Sequence, residues 1–167
     1  MFKAIFRVVG AVVTAAPNLA ESFVDSVFRD SVEPEVGSVV YCDMCMGMAE
    51  HSGIYIGNNE IIHFTSEGNI EKVTPNEFIE DTTAMNILVS CNDEEAVGSY
   101  TVARRAKGML HETRDYNVIF NNCHQFSSGC LTGDFDNSDN FLWMLKDRSK
   151  ENIDSNTWRN WDIDLTD

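Results

Sequence analysis

The sequence predicts an α+β fold in which a small antiparallel β-sheet packs with helices, and three features of its 167 residues point that way. Short β-rich pieces at 38–42, 54–56, 60–65 and 86–90 are separated by Gly, Asn and Pro, the pattern of a meander. The segment 93–110 opens with Asp93, Glu94 and Glu95 and closes with Arg104, Arg105 and Lys107, matching the sign of a helix macrodipole at each end. Two further helical patterns follow, at 122–131 and 139–147.

Taken in order, the chain begins with Phe2, Ile5, Phe6, Val9, Val12, Val13 and Ala16 at helical spacing, opposite Lys3, Arg7, Gly10 and Thr14. Pro17 ends that pattern. Asn18, with Glu21 three residues on, caps a second helix carrying Leu19, Phe23, Val27 and Phe28. Residues 1–33 are therefore read as an N-terminal helical segment that docks on the body of the protein. The alternative is a peripheral membrane contact through residues 2–16, and the same stretch has the form of a weak export signal. Residues 34–37 read as a linker into a domain spanning 34–148. Its helix at 139–147 has Phe141, Leu142 and Leu145 on the apolar face, and residues 149–167 read as an acidic, mobile tail in which Trp158 and Trp161 still require some packing.

Twelve basic against 27 acidic residues give a formal charge of −15, which repels phosphate backbones and excludes nucleic acid as a partner. Five unevenly spaced cysteines do not form the framework of a small disulfide scaffold, so a reducing, cytoplasmic location is expected, with export as the alternative. No apolar run approaches the roughly 18 to 20 residues that span a bilayer. Cys42 and Cys45 have the spacing of half a zinc site, but no second pair completes four ligands, and Cys91 and Cys130 read as core thiols.

Chemistry concentrates in two places. Asn121 and Asn122 are good helix caps immediately before Cys123, which puts the thiol in the first turn of a helix, where free N–H groups favour a thiolate and a developing oxyanion. A base must come from elsewhere, and the apparent hairpin from His51 to His63 supplies two histidines. If its loop holds an odd number of residues, such as 57–59, His63 lies opposite Gly53 and His51, Gly53, Tyr55, Ile61 and His63 share one face. The histidines are then diagonal neighbours, roughly 7 to 8 Å apart at the backbone, and Gly53 leaves room for a helix to approach. A two-residue loop would separate them. Ile54, Ile56, Ile62 and Phe64 form the core face.

His51 with 53-Gly-Ile-Tyr-Ile-Gly-57, His63 twelve residues later, and Tyr116-Asn117 leading to Asn122-Cys123 and Phe126 together resemble the lecithin:retinol acyltransferase-like family, over roughly residues 34–131. Residues 36–40, Val-Gly-Ser-Val-Val, are similar to the strand that opens such domains. The resemblance implies a circularly permuted papain-like fold of the NlpC-type superfamily, with Cys123 as nucleophile, His51 as general base and His63 orienting His51. The chain departs from the family where members commonly have Glu-His after the cysteine and it has His124-Gln125, and where an aromatic often follows the first histidine and it has Ser52. It also lacks the apolar C-terminal anchor of many vertebrate members, so the resemblance does not choose between a lipid, a peptide and another small-molecule acyl substrate.

The expected reaction is attack of the Cys123 thiolate on an ester or amide, giving a thioester that water or an acceptor resolves. No cofactor and no metal are needed. Asn122, Tyr55 and His124 are candidates for substrate binding or the oxyanion site. Two readings of other classes stand beside this one: a binding or regulatory module that kept the fold without the reaction, and a thiol–imidazole metal site built from Cys123, His51 and His63.

Overall fold

A computed structural model describes residues 31–44, 46–115 and 122–165. The expected helices in 1–30, Cys45 and the approach at 116–121 lie outside the described residues. The strands are β1 (Ser31–Val32), β2 (Val39–Asp43), β3 (Glu50–Gly57), β4 (Glu60–Phe64), β5 (Ile70–Val73), β6 (Leu88–Asn92), β7 (Glu95–Ala96) and β8 (Thr157–Trp161), and runs of buried residues, mostly apolar, dominate β2, β3, β4 and β6. These form one open mixed sheet in the order β1-β8-β6-β2-β3-β4-β5, with β7 also paired to β6. All pairs are antiparallel except β1 with β8. The four helices of the described residues are α1 (Pro75–Ile79), α2 (Tyr100–Gly108), α3 (Cys123–Thr132) and α4 (Leu142–Ile153). The class is α+β, as expected.

Each face of the sheet is covered. Val39, Tyr41, Ile54, Ile56, Ile62, Phe64 and Leu88 point to one side and pack under Val102 and Ala106 of α2, Phe126 and Leu131 of α3, and Leu142 and Leu145 of α4. Val40, Cys42, Tyr55, Ile61 and Val89 point to the other and pack with Phe78 of α1, Ile87 and Trp161. Arg105 of α2 donates to the carbonyls of Cys130 and Leu131, which α3 leaves open at its last turn.

Several expectations are corrected. The helix expected from 93 begins only at Tyr100, capped by the Ser99 side chain, because Asp93, with φ of +52°, turns the chain between β6 and β7. The acidic residues there serve a hairpin rather than a helix start. The helix expected at 139–147 starts at Leu142 and continues to Ile153, and Phe141 is 52% exposed instead of facing the core. Residues 34–37 are a packed turn instead of a linker, the Gly37 N–H donating to the Tyr55 carbonyl at 2.8 Å. Ser31 and Val32, placed within the helical segment, form the parallel edge strand. The supposed mobile tail supplies β8, an interior strand between β1 and β6. Its two buried tryptophans, three residues apart, face opposite sides of the sheet, one in each core, a strand signal that the acidic composition of the region masks.

Candidate active site

Asn122 stands in extended backbone and its Oδ1 accepts from the N–H groups of His124 and Gln125 at 3.0 and 3.2 Å, so α3 starts at Cys123 as the asparagine pattern predicts. Phe126 N–H is bonded to the Asn122 carbonyl. Among the described residues this leaves the Cys123 N–H as the first-turn donor without a partner. Asn122 is therefore committed to building the helix end, its Nδ2 donating to the Asn140 carbonyl at 2.8 Å.

The hairpin reaches the expected register by another route. Asn58 and Asn59 both have φ of +55°, a two-residue turn of the kind asparagine favours, and Gly57 pairs with Glu60. That turn alone would put the histidines on opposite faces. A β-bulge between Tyr55 and Gly57 absorbs Ile56 as the extra residue and restores the parity, so that Gly53 pairs with His63. His51 Nε2 and His63 Nδ1 lie 2.6 Å apart. Phe78 packs against both rings, with centroids 4.7 and 5.6 Å away.

Gly53 admits this phenyl group rather than the nucleophile's helix: a Cβ there would lie 3.2 Å from Phe78 Cε2 and 2.9 Å from the Ile62 carbonyl oxygen. Helix α3 lies on the other face, where Ser127 Oγ is 3.0 Å from Ser52 Oγ. Its first residue meets His51 at the start of β3, with Cys123 Sγ 3.9 Å from the Glu50 carbonyl oxygen. Burial works to raise the Cys123 pKa, but the charge of His51 and hydrogen bonds from His51 and Ser52 outweigh it, and the thiol is held below its ordinary value. Since His51 Nε2 is turned to His63, Nδ1 is the ring nitrogen left for the thiol.

A cleft of about 350 Å³ opens over His51 and His63, walled by Phe78, Thr65 and the carboxylate residues Glu67, Glu71, Glu77, Glu80 and Asp81. Cys123, 4% exposed, is not among the residues that line it. Tyr55 does not face the cleft: it packs edge-on against Trp161, centroids 5.1 Å apart, in the second core. His124 is buried with Nδ1 2.9 Å from Ser52 Oγ and 4.0 Å from Cys123 Sγ, and burial lowers its pKa to about 4. Ser52 thus occupies the position of the commoner aromatic as a polar link between His124 and Ser127. Gln125 is taken up by the Asn137 carbonyl.

A family model described as lecithin retinol acyltransferase matches residues 32–136, well over half of the chain. The chain belongs to the lecithin retinol acyltransferase family. No curated protein matches it. Membership carries acyltransferase or thiol-hydrolase chemistry in general, on small-molecule or lipid substrates. In this lecithin retinol acyltransferase domain α4 and β8 fall outside the matched residues, yet both complete its cores.

Sequence reasoning missed Phe78 and Glu71. Thr74 with Glu77 three residues later, and Pro75 between them, is a capping box announcing the short helix that carries Phe78. Glu71 is the cross-strand partner of His63 on β5, a strand too short and polar to register as a hydrophobic pattern. Cys42 pairs with His51 across β2 and β3, and burial, followed by the charge of Cys123 and Asp43, pushes its thiol up. The two neighbouring thiols are thus poised in opposite directions. Among the described residues no helix is long and apolar enough to cross a membrane, and no group of three or more Cys, His, Asp or Glu is arranged to hold a metal.

Proposed function

We propose that the protein is a cysteine-dependent acyl hydrolase or acyltransferase in which Cys123 attacks the acyl carbon, His51 is the general base and His63 holds His51. The single observation that carries this reading is the placing of a buried thiol at a helix start beside a histidine whose far nitrogen is 2.6 Å from a second histidine, an arrangement that favours the thiolate. His51 takes the thiol proton; the thiolate adds to the carbonyl of an ester or amide; and the Cys123 N–H is the donor available to the oxyanion. Collapse expels the alcohol or amine, which leaves with the proton held by His51, and a thioester remains. Water or an acceptor alcohol or amine, deprotonated by the same imidazole, releases the acyl group. A reducing compartment keeps the thiol competent for this cycle.

The test is the alkylation rate of Cys123 against pH, resolved from the other thiols by peptide mapping, in the wild type and His51→Ala. Reaction that persists below pH 7 and falls away in the variant is the expected result. A single titration near the ordinary thiol value of about 8.5 in both proteins would remove the thiolate–imidazole pair. It would favour instead an unreactive binding module, a reading that draws on the burial of Cys123, which is 4% exposed. Acyl release from phosphatidylcholine, against cleavage of a peptide or isopeptide amide, then separates the two substrate classes.

A further inference from the structure

His51 can accept the thiol proton at Nδ1 only if its own proton sits on Nε2. That proton is then donated to His63 Nδ1, 2.6 Å away, so His63 must be the tautomer with its proton on Nε2. The requirement passes outward by one more step, to whatever His63 Nε2 faces. That atom is buried and has no hydrogen-bond partner at rest, and a buried donor left unpaired is costly. Glu71 Oε1 lies 3.5 Å away on the paired strand, with a side chain about half exposed and therefore free to close the remaining gap.

The geometry points to Glu71 as a positioning residue that selects the Nε2–H tautomer of His63, and through it the proton-accepting form of His51. This rests on the reading of Cys123, His51 and His63 given above. The arrangement is a chain of single-direction donations, Cys123 to His51, His51 to His63 and His63 to Glu71, ending on a carboxylate that can only accept. A carboxylate behind a catalytic histidine holds the tautomer without taking the proton, and here it acts across two rings. The other charged groups around the cleft do not duplicate it. His51 on β3 already holds the opposite nitrogen, Glu77 is engaged with Thr74 of its own helix cap, and Glu67 with Ser66. Glu80 and Asp81 line the same cleft from the end of α1. Lys72, the neighbouring cation on β5, is paired with Glu60.

Two readouts on the full chain test this. In the first, the ring nitrogens of His63 are followed by ¹⁵N NMR in wild type, Glu71→Gln and Glu71→Ala at neutral pH. The wild type should hold the Nε2–H form; the Gln variant, whose amide oxygen can still accept, should largely keep it; and the Ala variant should become a tautomer mixture. In the second, the pH profile of Cys123 alkylation should lose its component below pH 7 in Glu71→Ala by about 10-fold, the scale on which orienting partners act, with Gln restoring most of it. An unchanged His63 tautomer and an unchanged profile in Glu71→Ala overturn the assignment. The two levels separate cleanly, because His63 tautomer ratios report on Glu71 even if His51→Ala leaves the thiol's reactivity untouched.

Discussion

Two of the site's histidines are buried as neutral rings, and this has a consequence for stability. His124 is pushed from 6.5 to about 4 by burial, with Glu50 opposing, and His63 from 6.5 to about 4 by burial. His124 takes no part in the proposed proton relay, so it gives the cleaner reading. Above pH 6.5 neither the folded nor the unfolded chain binds the proton and the ring costs nothing. Between pH 6.5 and 4 the unfolded chain binds a proton that the folded one refuses, so stability falls as pH falls. His124→Gln removes the titration while keeping a polar group for Ser52. Denaturant titrations at pH 7 and pH 4.5 should show the wild type losing on the order of 2 kcal/mol more than the variant. Equal losses in both proteins would mean that His124 is protonated in the fold.

The bulge in the β3–β4 hairpin sets the register on which the histidine pair depends. Strand side chains alternate faces, so a tight two-residue turn and a one-residue bulge together leave His51 and His63 on the same side. Deleting Ile56 removes the extra residue yet keeps Gly57 opposite Glu60, Tyr55 opposite Ile61 and Gly53 opposite His63, so the histidines stay on one face. Cys123 alkylation below pH 7 should therefore survive the deletion. A fall to the level of His51→Ala, with circular dichroism still reporting a folded sheet, would show that the local twist of the bulge, and not the register alone, holds the pair. The sequence permitted the shared face to be predicted but not its cause, because a bulge is set by the strain between turn and sheet twist and has no composition of its own. The cap at Asn122, by contrast, was legible in full, since the side chain, the N–H groups it satisfies and the helix start all lie within four residues. The helix at 100–108 was half legible. Its basic end was placed correctly, while the acidic residues meant to open it were claimed by a hairpin whose partner strand, β8, lies more than sixty residues away. The Phe78 support for the histidines was present as a capping box but went unread because five residues make too short a helix for periodicity to reveal.

Over the whole molecule, the sheet separates two cores, and the second depends on residues beyond the family match. Trp161 is 5% exposed and meets Tyr55, which lies on the same strand as His51. Trp161→Ala should cost about 3 to 5 kcal/mol, as large-to-small changes of buried aromatics do, and lower the melting temperature accordingly. A loss below 1 kcal/mol would mean that β8 contributes little to this layer. Charge acts at the same scale. With a formal charge of −15, the molecule repels anionic surfaces at low salt, and the carboxylates around the cleft carry that bias to its mouth.

The pairing of Leu88–Cys91 with residues 157–160 also governs how the chain is made. Synthesis delivers β6 well before its neighbour, and until residue 160 has emerged the backbone groups along that side of Leu88, Val89 and Cys91 have nothing to bond. A bare, apolar strand edge is a template for a second nascent chain on the same message. Yield on expression should therefore be limited by the time this edge waits on the ribosome, and should respond to chaperones that shield strands more than to any change that strengthens the finished fold.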